Sequence, residues 1–152
     1  MTKRLVYSGE INGELVQRVL KGGWSELVLC SDGGCTYCMR AICDYLLTHE
    51  KKVLVTGQCM SSATAIVACG SPAVCTESCR FLVHKSHLDG ASGGIPEMKN
   101  NAEELRIEEE WYFDLLAKRT GTPDITWREL CMEESCFGAK VALELGLVDK
   151  IV

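Results

Sequence analysis

KKVLVTGQCMSSATAIVACG, residues 51–70, decides the fold. Its first part, KKVLVTG, is a short run rich in valine that stops at Gly57, the pattern of a buried strand. The part that follows, QCMSSATAIVACG, is small and apolar on every side, the pattern of a buried helix ended by Gly70. A buried strand that runs directly into a buried helix is the repeating unit of a mostly parallel sheet.

The same alternation extends in both directions. Upstream, RLVYSGEI (4–11) reads as a strand ending at Gly9, and Glu14 to Leu20 as a helix stopped by Gly22-Gly23. SELVLC (25–30) reads as an apolar strand, and SDGGC (31–35) as a turn. Tyr37 to Thr48 places Met39, Ile42, Cys43, Leu46 and Leu47 at helical spacing. Downstream, AVCTES (73–78) and RFLVHKS (80–86) read as strands, and HLDGASGGIPE (87–97) as irregular. Met98 to Arg119 is a charged helix, acidic in its first half and closed by Lys118-Arg119, which suits the helix dipole. Its Leu105, Trp111, Tyr112, Leu115 and Leu116 can face a partner subunit or the chain's own core. Thr126 opens a short helix, ESCFGAKVALELG (134–146) reads as a helix ending at Gly146, and LVDKIV (147–152) as a last strand. The expectation is one α/β domain over residues 1–152, with sites gathered where strand ends meet loops.

Composition narrows the function. A net charge of -5 and the absence of any basic run exclude a general nucleic-acid binder, which needs a basic face against phosphate. No stretch approaches the roughly 18 apolar residues of a membrane span. The first residues are too polar for a signal peptide, so the sequence reads as soluble and cytoplasmic. The ten cysteines lie mostly in apolar runs such as LVLC and IVAC. They read as buried reduced thiols, because Cys35-Thr-Tyr-Cys38 has no matching second pair to complete a metal site. No cofactor motif is present, and SDGG lacks the GxxxxGK[ST] pattern of a phosphate loop.

Two features carry chemistry. Ser61 stands where the strand enters the buried helix, so free backbone N–H groups lie beside its hydroxyl. The same serine could simply cap the helix. Ser31-Asp32-Gly33-Gly34 follows another strand, and its glycines allow close approach of a substrate, or form an ordinary turn.

The stretch from Ser31 to His87 resembles the proteolytic subunit of the Clp protease family. SDGG stands for the family's SPGG, GQCMSSAT for GQAASMGA, and RFLVHKSH for its histidine-bearing strand. GAKVALELGLVDKIV resembles the closing SAxEAxEYGLVD segment. The resemblance implies a ClpP/crotonase-like α/β fold of stacked strands and helices, with a protruding handle segment at about 88–128. It implies a serine endopeptidase in which Ser61 is the nucleophile and His84 the base and then the acid. His87 and His49 are the competing histidines. Gly34 and Ser62 would donate the oxyanion N–H groups. Glu134 would stand for the family aspartate, with Glu133 in reserve and a dyad without either still open. The implied partners are polypeptide or peptide substrates and copies of the chain in a homo-oligomer, in heptameric rings by resemblance.

The sequence departs from the family at Asp32, at Ser62-Ala63, at Ser86 and at Glu133. The segment before Arg4 is short, so the axial loops that dock an ATP-driven unfoldase are expected to be missing, and such a partner stays open. Three other readings stand beside this one: a viral head-maturation-type peptidase without an ATPase, a crotonase-like acyl-CoA enzyme, and an inactive scaffold subunit.

Overall fold

The computed structural model describes residues 1–152. Strands β1 (Arg4–Ser8), β2 (Glu26–Ser31), β3 (Lys52–Met60), β4 (Ala73–Cys75) and β7 (Lys150–Ile151) lie in the order β1-β2-β3-β4-β7, every neighbour parallel. β5 (Arg80–Leu82) and β6 (Cys136–Gly138) form a branch off this path. The branch point is β3. Its first half, Val53 to Val55, pairs with β4, and its second half, Gln58 to Met60, pairs with β5. Gly57, at φ 69°, is the bend between the halves. Strand β3 thereby exchanges β4 for β5 while still pairing with β2 at Cys59, and brings its end, next to Ser61, against the end of β5, near His84.

The helices are α1 (Gly13–Leu20), α2 (Thr36–His49), α3 (Ser62–Ala68), α4 (Ile95–Thr120), α5 (Asp124–Met132) and α6 (Ala139–Glu144). Every residue of α3 is buried, as expected for a helix with no polar face. It packs between α2 and α4, against β3. The core is continuous from Leu15 and Val19 of α1 through Leu27, Leu29, Val53 and Val55 of the sheet to Phe113, Leu116 and Trp127. Glu26 enters this region as a carboxylate buried at 1% exposure. It accepts hydrogen bonds from Arg4 and, at 2.7 Å, from Lys52. No helix is long and apolar enough to cross a membrane.

Several expectations are corrected. Cys136–Gly138 is a strand rather than the start of a helix, and α6 begins only at Ala139. Antiparallel pairing with β5 takes those residues out of the helical pattern, because Phe137 faces Phe81 across the ladder. Gln58 to Met60 belongs to β3, so the buried helix starts at Ser62. Helix α4 begins at Ile95, with Pro96 in its first turn, where a missing N–H costs nothing. The aromatic stripe of α4 is used within the chain. Phe113, Leu115 and Leu116 are buried, the Tyr112 hydroxyl meets Thr64 Oγ1 at 2.6 Å, and Trp111 lies under the Arg40 guanidinium. Ile95 and Met98, in the first turn, are the apolar side chains that α4 leaves most exposed.

Candidate active site

Ser61 sits between the last residue of β3 and the first of α3, at φ 55° and ψ -129°. A non-glycine residue there carries strain of about 1–3 kcal/mol that its surroundings must hold in place. They do so from three sides. The Ser61 N–H donates to Leu82 O at 2.8 Å, and its carbonyl accepts from Thr64 N–H at 3.0 Å and Thr64 Oγ1 at 2.6 Å. Gly33 presses against it from the neighbouring turn: at φ 104°, a Cβ there would stand 2.8 Å from Ser61 Cβ. The result is a turn that points the hydroxyl away from the helix. Ser61 makes no side-chain cap bond, which removes the simple N-cap reading.

The hydroxyl goes to His84. Nε2 of His84 and Oγ of Ser61 are 2.7 Å apart. Val83 N–H donates to Ser135 O at 3.1 Å, anchoring the backbone just before the histidine. Neither of the other two histidines bonds to Ser61, although the His87 ring lies 5.5 Å, centroid to centroid, from that of His84. His49 stacks on Tyr45 with ring centroids 4.0 Å apart at the end of α2, and His87 is exposed, 3.7 Å from Asp89. The neighbouring thiol of Cys59 does not compete for the nucleophile's place. It is fully buried, and burial pushes it well above the ordinary thiol range.

Two N–H groups on the segments around the serine are without a backbone acceptor. Ser62 is the first residue of α3, so its N–H has no intrahelical acceptor. Gly34 N–H meets no backbone acceptor, although Ile11 N–H and Cys35 N–H on either side are engaged. Ser62 Oγ donates to Gly34 O at 3.3 Å and ties the two segments together. Such a pair of fixed donors is suited to a developing oxyanion.

The acidic position differs. Glu134 lies in the turn between α5 and β6, at φ 50°. The ladder pairs Leu82 with Cys136, and Val83 N–H donates to Ser135 O, so the residues preceding His84 and following Glu134 are joined. Its side chain is exposed and bonded to nothing in the chain, as is that of Glu133. Both follow the end of α5 rather than starting a helix.

A cavity opens beside the serine and the histidine. Thr36 and Met39 of α2, Ser62, Ser86, and Glu108 and Tyr112 of α4 complete its lining. Glu108 is 7% exposed and accepts from Arg40 Nε at 3.2 Å. Arg40 lies 4.7 Å from the centre of the Trp111 ring. Neither Glu108 nor Arg40 stands out in the sequence, where one is the first of a row of three acids and the other one basic residue of a helix.

The sequence matches the Clp protease family over residues 25–152. It is 28% identical, over 126 residues, to ATP-dependent Clp protease proteolytic subunit 1 of Bifidobacterium longum, covering 80% of this chain and 54% of that one. The protein of the same name from Corynebacterium diphtheriae is 26% identical over 125 residues, 80% of this chain and 60% of that one. That of Corynebacterium glutamicum is 28% identical over 130 residues, 82% and 62%. The chain thus spans little more than half the length of these relatives. With a match that runs through the β3–α3 turn, the β5–β6 branch and the closing strand, this chain belongs to the Clp protease family.

Proposed function

We propose that the chain is a serine-type endopeptidase. The single observation that carries this is the 2.7 Å separation of His84 Nε2 and Ser61 Oγ at a strained strand-to-helix turn. In the proposed reaction Ser61 Oγ attacks the scissile carbonyl while His84 takes the hydroxyl proton. The N–H groups of Gly34 and Ser62 hold the tetrahedral oxyanion. His84 then protonates the leaving amine, and a water molecule, deprotonated by the same imidazole, cleaves the acyl-enzyme. Glu134 is proposed as the group that orients His84. Catalytic hydrogen bonds are often loose without substrate, and the backbone register supports this role.

Relatives named as proteolytic subunits of an ATP-dependent protease support polypeptide substrates and an assembly of subunits; a cytoplasmic setting and a homo-oligomer in heptameric rings are proposed with it. The segment at about 88–128, containing α4, is proposed as the handle between rings, its exposed Ile95 and Met98 meeting another copy. An unfoldase partner is a separate proposal, tested by adding one with ATP.

A second reading, a non-hydrolysing subunit, is favoured by the unbonded Glu134. Hydrolysis of unstructured fluorogenic peptides by the assembled wild type and by Ser61→Ala separates the two. Turnover that Ser61→Ala abolishes supports the peptidase; no turnover by either protein supports the non-hydrolysing subunit.

A further inference from the structure

We propose, resting on the peptidase reading, that Glu108 makes this site select a basic side chain, lysine above all, next to the scissile bond. The cavity lined by Ser61 and His84 adjoins the hydroxyl that attacks the carbonyl and is open to the substrate side chain next to it, and Glu108 lines that same cavity. Its carboxylate is more than nine-tenths buried, yet Oε2 has a single donor, Arg40 Nε, and Oε1 has none from the protein. Oε1 is not sealed in the core either, since the buried side-chain atom without a partner in this region is Arg40 Nη2. An oxygen in this position accepts from whatever enters the cavity.

The chain shows what completes such a carboxylate. Glu26, more deeply buried still, takes Arg4 Nε on Oε2 and takes a lysine ammonium, that of Lys52, on Oε1 at 2.7 Å. Glu108 repeats the first half of that arrangement with Arg40. A substrate lysine would supply the second half. The remaining wall supports an extended side chain with a polar tip: Met39 and Tyr112 offer apolar contact to the stem, and Thr36 and Ser86 are polar. A leucine in the same place would bury Oε1 without a donor, and leaving a buried acceptor unpaired disfavours binding by about 10-fold or more.

The test is a peptide mixture with the residue before the cleaved bond varied, digested by the assembled wild type and read by mass spectrometry. Cleavage after lysine should exceed cleavage after leucine by about 10-fold in kcat/KM, with arginine between them. In Glu108→Gln that ratio should fall toward one. Glu108→Asp keeps a charge for Arg40 but withdraws it by one methylene, and should lower the ratio several-fold. Wild type that cleaves after leucine in preference to lysine overturns the inference while leaving the peptidase reading intact. So does an unchanged ratio in either variant at a wild-type melting temperature. If no peptide is cut and Ser61 takes no fluorophosphonate, the peptidase reading fails and this inference fails with it.

Discussion

Ser61 and Glu134 share one backbone peculiarity, a left-handed φ of 55° and 50° on residues that are not glycine. Their surroundings differ in every other respect. Ser61 is clamped by Leu82, Thr64 and Gly33, and its hydroxyl is delivered to His84. Glu134 is exposed, its N–H bonded to Cys131 O at 3.2 Å as part of the turn that ends α5. The same dihedral thus stops a helix in one place and aims a nucleophile in the other. Strain marks a site only where neighbouring elements enforce it from several directions.

Substitutions can break this comparison. Ser61→Ala should lower peptide hydrolysis by at least about 10³-fold without loss of fold, measured as kcat/KM beside a melting curve. Gly33→Ala should come next. The new methyl group meets Ser61 directly at a φ of 104°, so activity should fall sharply, with a stability loss of about 1–3 kcal/mol in chemical denaturation. Glu134→Gln should cost on the order of 10-fold in kcat/KM, because its carboxylate only orients the base. A loss as large as that of Ser61→Ala would mean that the acid closes fully onto His84 during turnover. No loss would mean that Glu134 is only the end of a helix.

The smallest effect concerns stability away from the site. The hydrogen bond from Lys52, with burial opposing and Arg4 assisting, holds the Glu26 carboxyl below the usual carboxylate range. A carboxyl depressed in the folded state stabilises the protein at pH above its unfolded value, and that contribution is lost as pH falls through the lowered folded value. Glu26→Gln should therefore cost about 1 kcal/mol at neutral pH, a modest figure because Lys52 and Arg4 remain partly solvated, and should flatten acid unfolding.

Much of this was legible in the sequence. The strand–helix stretch 51–70 shows the parallel sheet because buried strands and an all-apolar helix leave a periodic record. The pair Ser61 and His84 was readable from its motif, although the bend at Gly57 that joins their strands was not, since it depends on which half of β3 pairs with which neighbour. Strand β6 was hidden inside an apparent helix because three residues are too few to set a period against the helical segment behind them. Glu108 was hidden for the opposite reason. A row of acids on a charged helix looks like a solvated face, and only the fold, which sets Arg40 of α2 against α4, shows that one of them is buried.

Active-site labelling of the assembled protein with a fluorophosphonate, followed by peptide mass mapping, tests the core of this reading most directly. One adduct is expected, on Ser61, absent in Ser61→Ala and slowed by at least about 10²-fold in His84→Ala. An adduct on Cys35 or Cys59, or labelling of Ser61 at an undiminished rate once His84 is removed, would contradict it.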